Sequence, residues 1–260
     1  MIKSKIKIRS KYVPEGIKIL YEDRDIIVID KSSGLLSVKA RYEKEKTAHQ
    51  LLINYVRKGN PKAKTNLFVV HRLDRETSGV MVFTKSYELR EKFAAQWKNV
   101  EKKYLAVVQG NLAEKSGIIE SYLAEKDDYM MSSVKTPEEG KLARTRYRVI
   151  KESRDYSLLE IDLLTGKKNQ IRVHLSDRGH PILGDLKYNE NPQGRLALHA
   201  LSIKFKHPFN KEEMVFETKI PDYFSNCFEI QDKDGDLPRK TKPFKGPKKH
   251  QKKEIKKKRG

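Results

Sequence analysis

The sequence predicts an α+β fold: a largely antiparallel, mixed β-sheet with flanking helices. Three observations carry that expectation. Short β-branched runs of strand length recur along the chain. Residues 111–165 read as alternating strands and turns, which implies antiparallel sheet with one wet face. Two other segments show helical spacing behind a capping residue.

Taken in order, residues 17–21 and 25–30 read as strands separated by the charged turn Glu22-Asp23-Arg24, and Lys31-Ser32-Ser33-Gly34-Leu35 supplies the next turn. Thr47 precedes Gln50 at capping-box spacing, so a helix is expected from about 47 to 58, stopped by Gly59 and Pro61. His49, in its first turn, reads as a solvated surface residue. Ser86 caps a second helix running to about 99, with Leu89, Phe93, Ala94 and Trp97 as its core stripe. Residues 102–110 read as a strand closed by a glycine. The alternating region follows, with strands at 117–119, 143–150 and 156–164, and residues 214–221 close the sheet. The chain divides into a short basic segment (1–16), a body (17–231) and a basic tail (232–260) too poor in apolar residues to fold alone.

With 260 residues and 37% hydrophobic content the body can bury a real core. Cys227 is the single cysteine, which excludes an internal disulfide and thiolate metal clusters and fits a reducing, cytoplasmic setting. No eighteen apolar residues run together, and the first nine lack the apolar core of a signal peptide, so a soluble protein without a membrane partner is expected. The net charge is +21. Residues 239–260 hold twelve Lys or Arg and one acid, Glu254, so they contribute +11 and the remaining 238 residues +10. A body this basic without its tail points to a polyanionic partner, and nucleic acid is the one expected. Neither a Walker loop nor a dinucleotide glycine fingerprint occurs, so no nucleotide cofactor is expected, and nothing demands more than a monomer.

The most informative stretch spans residues 69–83. It sets one carboxylate, Asp74, between Arg72 and Arg75 on a polar turn joining two apolar runs, with Thr77-Ser78-Gly79 as turn chemistry. A fixed, accessible carboxylate can act as a nucleophile. The same cluster is also what a surface ion-pair network looks like, and spacing alone leaves both readings open. A protein-kinase catalytic loop is excluded, because Leu73 separates Asp74 from His71-Arg72 and no phosphate-covering glycine loop exists.

His71-Arg72-Leu73-Asp74-Arg75-Glu76-Thr77-Ser78-Gly79 resembles the HRLDxxTSG signature of the RluA-type pseudouridine synthases, and the similarity extends in block order from about residue 17 to 221. The resemblance implies the pseudouridine synthase catalytic fold with a central active-site cleft, no cofactor and no metal. It also implies isomerisation of uridine in ribosomal RNA, of the large subunit above all, or in transfer RNA. Asp74 would be the catalytic residue, attacking the nucleoside or accepting a ribose proton. Residues 102–110 resemble the family's KxYxAxVxG strand, which makes Tyr104 the residue that stacks on the uracil. Residues 165–175 resemble TGRTHQIRVHL, which makes Arg172 the partner of Asp74. Here Lys167, Lys168 and Asn169 depart from the pattern, and Lys167 loses the bidentate geometry of an arginine. Ser32 stands for the proline of DKPxGL, which is expected to loosen that turn.

The substrate and RNA contacts implied are His71, Arg72, Arg75, Thr77, Lys167, Gln170 and Leu198, with Arg72, Arg75 and Lys167 on phosphates. Leu196 and Leu198, in a block like RLALHAxxLxFxHP, line the base pocket or brace the sheet. The GHPIxGDxxY-like block supplies Asp185, expected to brace its loop, and a metal reading of His174, His180 and Asp185 matches no known ligand spacing. Many members carry an N-terminal RNA-binding domain of the S4 type, for which residues 1–16 leave no room. Two competing functions are a catalytically idle RNA-binding or ribosome-assembly protein on the same fold and a glycoside hydrolase, which would want a second acid across the bond.

Overall fold

The computed structural model describes residues 13–60, 62–126 and 129–229. Most of the expected N-terminal segment and all of the basic tail lie outside them. The chain runs β1 (Ile17–Glu22), β2 (Ile26–Lys31), α1 (Ala48–Val56), β3 (Phe68–Val69), β4 (Ser78–Thr84) and α2 (Tyr87–Ala95). It continues through β5 (Glu101–Gln109), β6 (Ser116–Glu125), β7 (Met131–Val134), β8 (Lys141–Glu152), β9 (Tyr156–Leu163), α3 (Gln170–Asp177), β10 (Leu198–Lys206), β11 (Glu213–Glu217) and α4 (Asp222–Glu229). One eleven-stranded sheet has the order β1-β2-β4-β10-β5-β9-β8-β6-β7, with β11 beside β10 and β3 beside β4. Every pairing is antiparallel except β10 with β4, so the sheet is mixed and the expected α+β class holds.

The pleat sorts the apolar residues into two cores. Ile27 and Ile29 of β2, with Met81 and Phe83 of β4, face a large core that also receives α1, α3 and α4. Ile26, Val28, Val80 and Val82 face a smaller one beneath Phe93 of α2. Strands buried on both faces read as continuous apolar runs, as β4 does. In β10 a register shift between Ala200 and Ser202 reverses the parity: Leu198 and Ala200 meet the large core, Ile203 and Phe205 the small one.

The parallel crossing is what positions the site. Ala200 pairs with Gly79 on one side and with Tyr104 on the other. The chain entering β4 and the Tyr104 ring therefore share one row of the sheet, two strand spacings or roughly 10 Å apart. At Gly79 a Cβ would lie 2.2 Å from the Ala200 carbonyl oxygen, and φ is +115°, so only glycine lets the strands approach.

Both helix starts follow their caps: Thr47 Oγ1 accepts from the Gln50 N–H, and Ser86 Oγ from the Leu89 N–H. Four details differ from expectation. Helix α2 ends at Ala95, with a 3-10 turn over Trp97–Asn99, and Ala94 is exposed rather than core. His49 is half-buried rather than a free surface residue: its ring stacks on Phe83 and Nε2 bonds the Leu67 carbonyl at 2.8 Å. Ser32 does not loosen its turn, because the N–H that a proline would lack donates to the Gly16 carbonyl at 2.9 Å. Finally, α3 is a helix with no counterpart among the expected elements: Ile171, Val173 and Leu175 alternate with polar residues that are themselves buried.

Candidate active site

Asp74 sits in the loop that leads into β4, and that loop is clamped through its backbone. Ser37 Oγ donates to the Leu73 carbonyl at 2.6 Å and accepts from the Leu73 N–H at 3.1 Å. The Thr77 N–H closes the turn onto the Asp74 carbonyl at 3.2 Å, and Ser33 Oγ donates to the Glu76 carbonyl. Lys31 is fully buried at the end of β2 and donates to the carbonyls of Ser32, Leu35 and Arg75. Burial pushes its ammonium down to about 8, against the favourable charges of Glu76, Asp74 and Asp30.

The Asp74 side chain, 34% exposed, emerges from this clamp to meet the start of α3. Arg172 Nη1 donates to its Oδ2 at 3.1 Å. The other edge of the guanidinium grips Asp185, with Nε to Oδ2 at 2.7 Å and Nη2 to Oδ1 at 2.6 Å. Burial works against the Arg172 charge, but the bonds and charge of Asp185 and then Asp74 outweigh it and raise its pKa. Asn169, the residue before α3, donates its amide to the same Oδ2 at 2.6 Å.

Tyr104 lies buried on β5 facing the large core, where burial and then the Asp74 charge raise its phenol pKa. Its proton stays on at neutral pH. Asp74 and Arg172 are thus in contact, Tyr104 lies near enough to feel the Asp74 charge, and the carboxylate side chain is partly exposed.

The contact residues fare unevenly. Arg72 is exposed and has no ion pair among the described residues. Arg75 is exposed, with Nε donating to the Gly34 carbonyl, and Lys167 is half-buried. His71 does not face outward: its Nε2 accepts the Val82 N–H and its ring packs on Trp97. Burial, and then the Lys102 charge, push it down to about 3, so it offers no cation to phosphate. Gln170 is buried with both amide groups spent, accepting from Thr165 Oγ1 and the Lys167 N–H and donating to the Arg144 carbonyl and Thr145 Oγ1. It ties the loop before α3 to β8 and leaves nothing for RNA. Thr77 and Leu198 are buried, Leu198 within the large core, so both brace the sheet.

Sequence reasoning missed Asn169, noted only as a departure, and Lys31. No sequence signal marks Asn169, because its side chain does not cap the helix it precedes. The three suggested metal ligands part ways: His174 bonds Thr145 and Ser121, His180 the Gln109 carbonyl, and Asp185 Arg172. Among the described residues Asp23, Asp25 and His207 do cluster, but His207 Nδ1 accepts the Phe209 and Asn210 N–H groups. Its Nε2 therefore carries the proton and has no lone pair to give.

The sequence model of the family described as RNA pseudouridylate synthase matches residues 25–177. The chain belongs to that family. It is 34% identical over 226 residues to the ribosomal large subunit pseudouridine synthase D of Vibrio cholerae, covering 79% of this chain and 68% of that one. It is 37% identical over 198 residues to the dual-specificity RNA pseudouridine synthase RluA of Yersinia pestis, covering 73% and 92%. Among solved structures, human RNA pseudouridylate synthase domain containing 4 superposes with a TM-score of 0.68 at 26% identity, covering 83% of this chain and 92% of that one. The chain is an RNA pseudouridine synthase with the family's mixed sheet. No helix among the described residues is long and apolar enough to cross a membrane.

Proposed function

We propose that the Asp74 cleft carries out the isomerisation of uridine in large-subunit ribosomal RNA or transfer RNA, the classes named for relatives of this chain, with residues 17–231 as the catalytic unit working as a monomer in the cytoplasm. The observation that carries the reading is the contact of Arg172 with Asp74 at 3.1 Å on a carboxylate that remains open to solvent.

The reaction breaks the N1–C1′ bond, turns the uracil and joins C5 to C1′. C5 loses a proton and N1 gains one, so nothing is oxidised and no nucleotide or redox cofactor is needed. Asp74 assists by adding to the nucleoside or by taking a ribose proton. Tyr104, with its proton held, offers an apolar ring for the freed base. Arg172 orients the carboxylate. The uridine must leave its stack, which costs a few kcal/mol, and contacts of Arg72, Arg75 and Lys167 with flanking phosphates offset that cost.

The test is a transcriptome-wide pseudouridine map of cells with and without this gene. One or more sites in large-subunit ribosomal RNA or transfer RNA should vanish and return with the wild-type gene. Loss confined to messenger RNA, or no loss at all, would overturn the substrate assignment.

A further inference from the structure

The two oxygens of Asp74 are not equivalent. Both protein donors, Arg172 Nη1 and Asn169 Nδ2, fall on Oδ2, and no donor among the described residues meets Oδ1. We propose that Asn169 is a positioning residue of this site: oriented by Tyr188, its amide pins Oδ2 and leaves Oδ1 as the oxygen that meets the nucleoside. The proposal rests on the reading of Asp74 as the reacting acid.

The amide has no freedom to turn round. Tyr188 Oη accepts the Met131 N–H at 3.1 Å, so its own proton is available for Asn169 Oδ1 at 3.4 Å. With Asn169 Oδ1 facing the phenol, Nδ2 faces Asp74. A flipped amide would set its oxygen against the carboxylate and waste the phenol proton. Tyr188 is itself fixed by three contacts: its N–H donates to Asp185 Oδ1, its carbonyl accepts from Ser176 Oγ, and the Arg172 guanidinium lies 5.2 Å over its ring. Asp185 therefore reaches Asp74 Oδ2 by two routes, one through Arg172 and one through Tyr188 and Asn169.

The backbone points the same way. Asn169 is the N-cap of α3, yet its side chain makes no capping bond. An asparagine there normally accepts an N–H of the first turn. This one gives that up for Asp74, while its main-chain carbonyl still accepts from the Val173 N–H. Its φ of +52° lies in the left-handed region, which Asn, Asp, His and Gly tolerate. Asn169 thus combines a tolerated left-handed backbone with a side-chain amide on Asp74, and that donor does not titrate.

The experiment uses Asn169→Gly, which suits the backbone and deletes only the amide, Asn169→His, which returns a donor, and Tyr188→Phe. Single-turnover pseudouridine formation at saturating RNA, RNA affinity and thermal midpoint are measured for each. Asn169→Gly should slow the step by about 10–100-fold while affinity and midpoint stay near wild type. Asn169→His should recover most of that rate, and Tyr188→Phe should cost about tenfold or less. A wild-type rate in Asn169→Gly overturns the proposal, as does an Asn169→His rate no better than that of Asn169→Gly. Should Asp74→Asn retain the wild-type rate, the underlying reading of Asp74 fails, whatever the Asn169 variants do.

Discussion

The loop carrying Asp74 and the loop carrying Asp185 meet on one guanidinium, yet they treat their carboxylates in opposite ways. Asp185 is completely buried. It takes two bonds from Arg172 and two more from the Lys187 and Tyr188 N–H groups, so both oxygens have donors, three on Oδ1 and one on Oδ2. Gly184 before it has φ +72°, and a Cβ there would lie 2.1 Å from the Arg195 carbonyl, so that loop is closely packed. Asp74 is held hard through the backbone of its loop, but its side chain has donors on one oxygen only and is 34% exposed. A fully buried charge with protein donors on both oxygens is a structural one. A charge with a rigid root and one vacant oxygen is ready for chemistry. The difference lies in partners and exposure, since the residue type and the cation are the same.

The largest expected effect comes from breaking the shared cation. Arg172→Lys cannot bond both Asp185 oxygens and Asp74 at once. It should cost about 3 kcal/mol or more of stability, because Asp185 is left short of partners while buried, and should slow the chemical step sharply as well. Denaturant titration and single-turnover rates check both. A lysine variant as stable and as fast as wild type would remove the distinction between the two loops.

A smaller effect is a pH dependence from the root of the Asp74 loop. Burial lowers Lys31 to about 8 in the folded state against 10.5 unfolded. Between those values the unfolded chain binds more protons, so this group makes stability rise with pH from about 8 to 10.5, and its penalty is complete below about 8. Unfolding free energies of wild type and Lys31→Met, taken as a difference across that range, should show the rise in wild type alone. A flat or falling difference would mean that Lys31 is not a buried cation clamping this loop.

The smallest effect on either loop is expected from deleting residues 239–260. Removing twelve cations and one acid should weaken RNA binding and flatten its salt dependence while leaving the single-turnover rate at saturating RNA unchanged. A sharp fall in that rate would place the tail at the site.

Much of this was legible beforehand. Caps at Thr47 and Ser86 announced α1 and α2, and the alternation of β8 and β9 announced a half-wet antiparallel region. The chain around Asp74 pointed to Tyr104 and Arg172 through a family pattern rather than through any period. The start of α3 was not legible: from Gln170 to Leu175 every residue is buried, so no polar face marks a helix, and Asn169 makes no side-chain cap. His71, Gln170 and Leu198 are expected as substrate or RNA contacts, yet His71 accepts the Val82 N–H, Gln170 has both amide groups bonded and Leu198 lies in the large core. Whether a side chain's bonds are already spent is a tertiary fact that spacing does not carry.

The most direct measurement sets Asp74→Asn beside Asp185→Asn and records, for each, the thermal midpoint and the single-turnover rate of pseudouridine formation at saturating RNA. Asp74→Asn should abolish product while its midpoint and RNA binding stay close to wild type, and Asp185→Asn should lower the midpoint first and the rate with it. Product formed at the wild-type rate by Asp74→Asn, or a collapse of its fold equal to that of Asp185→Asn, would contradict the account.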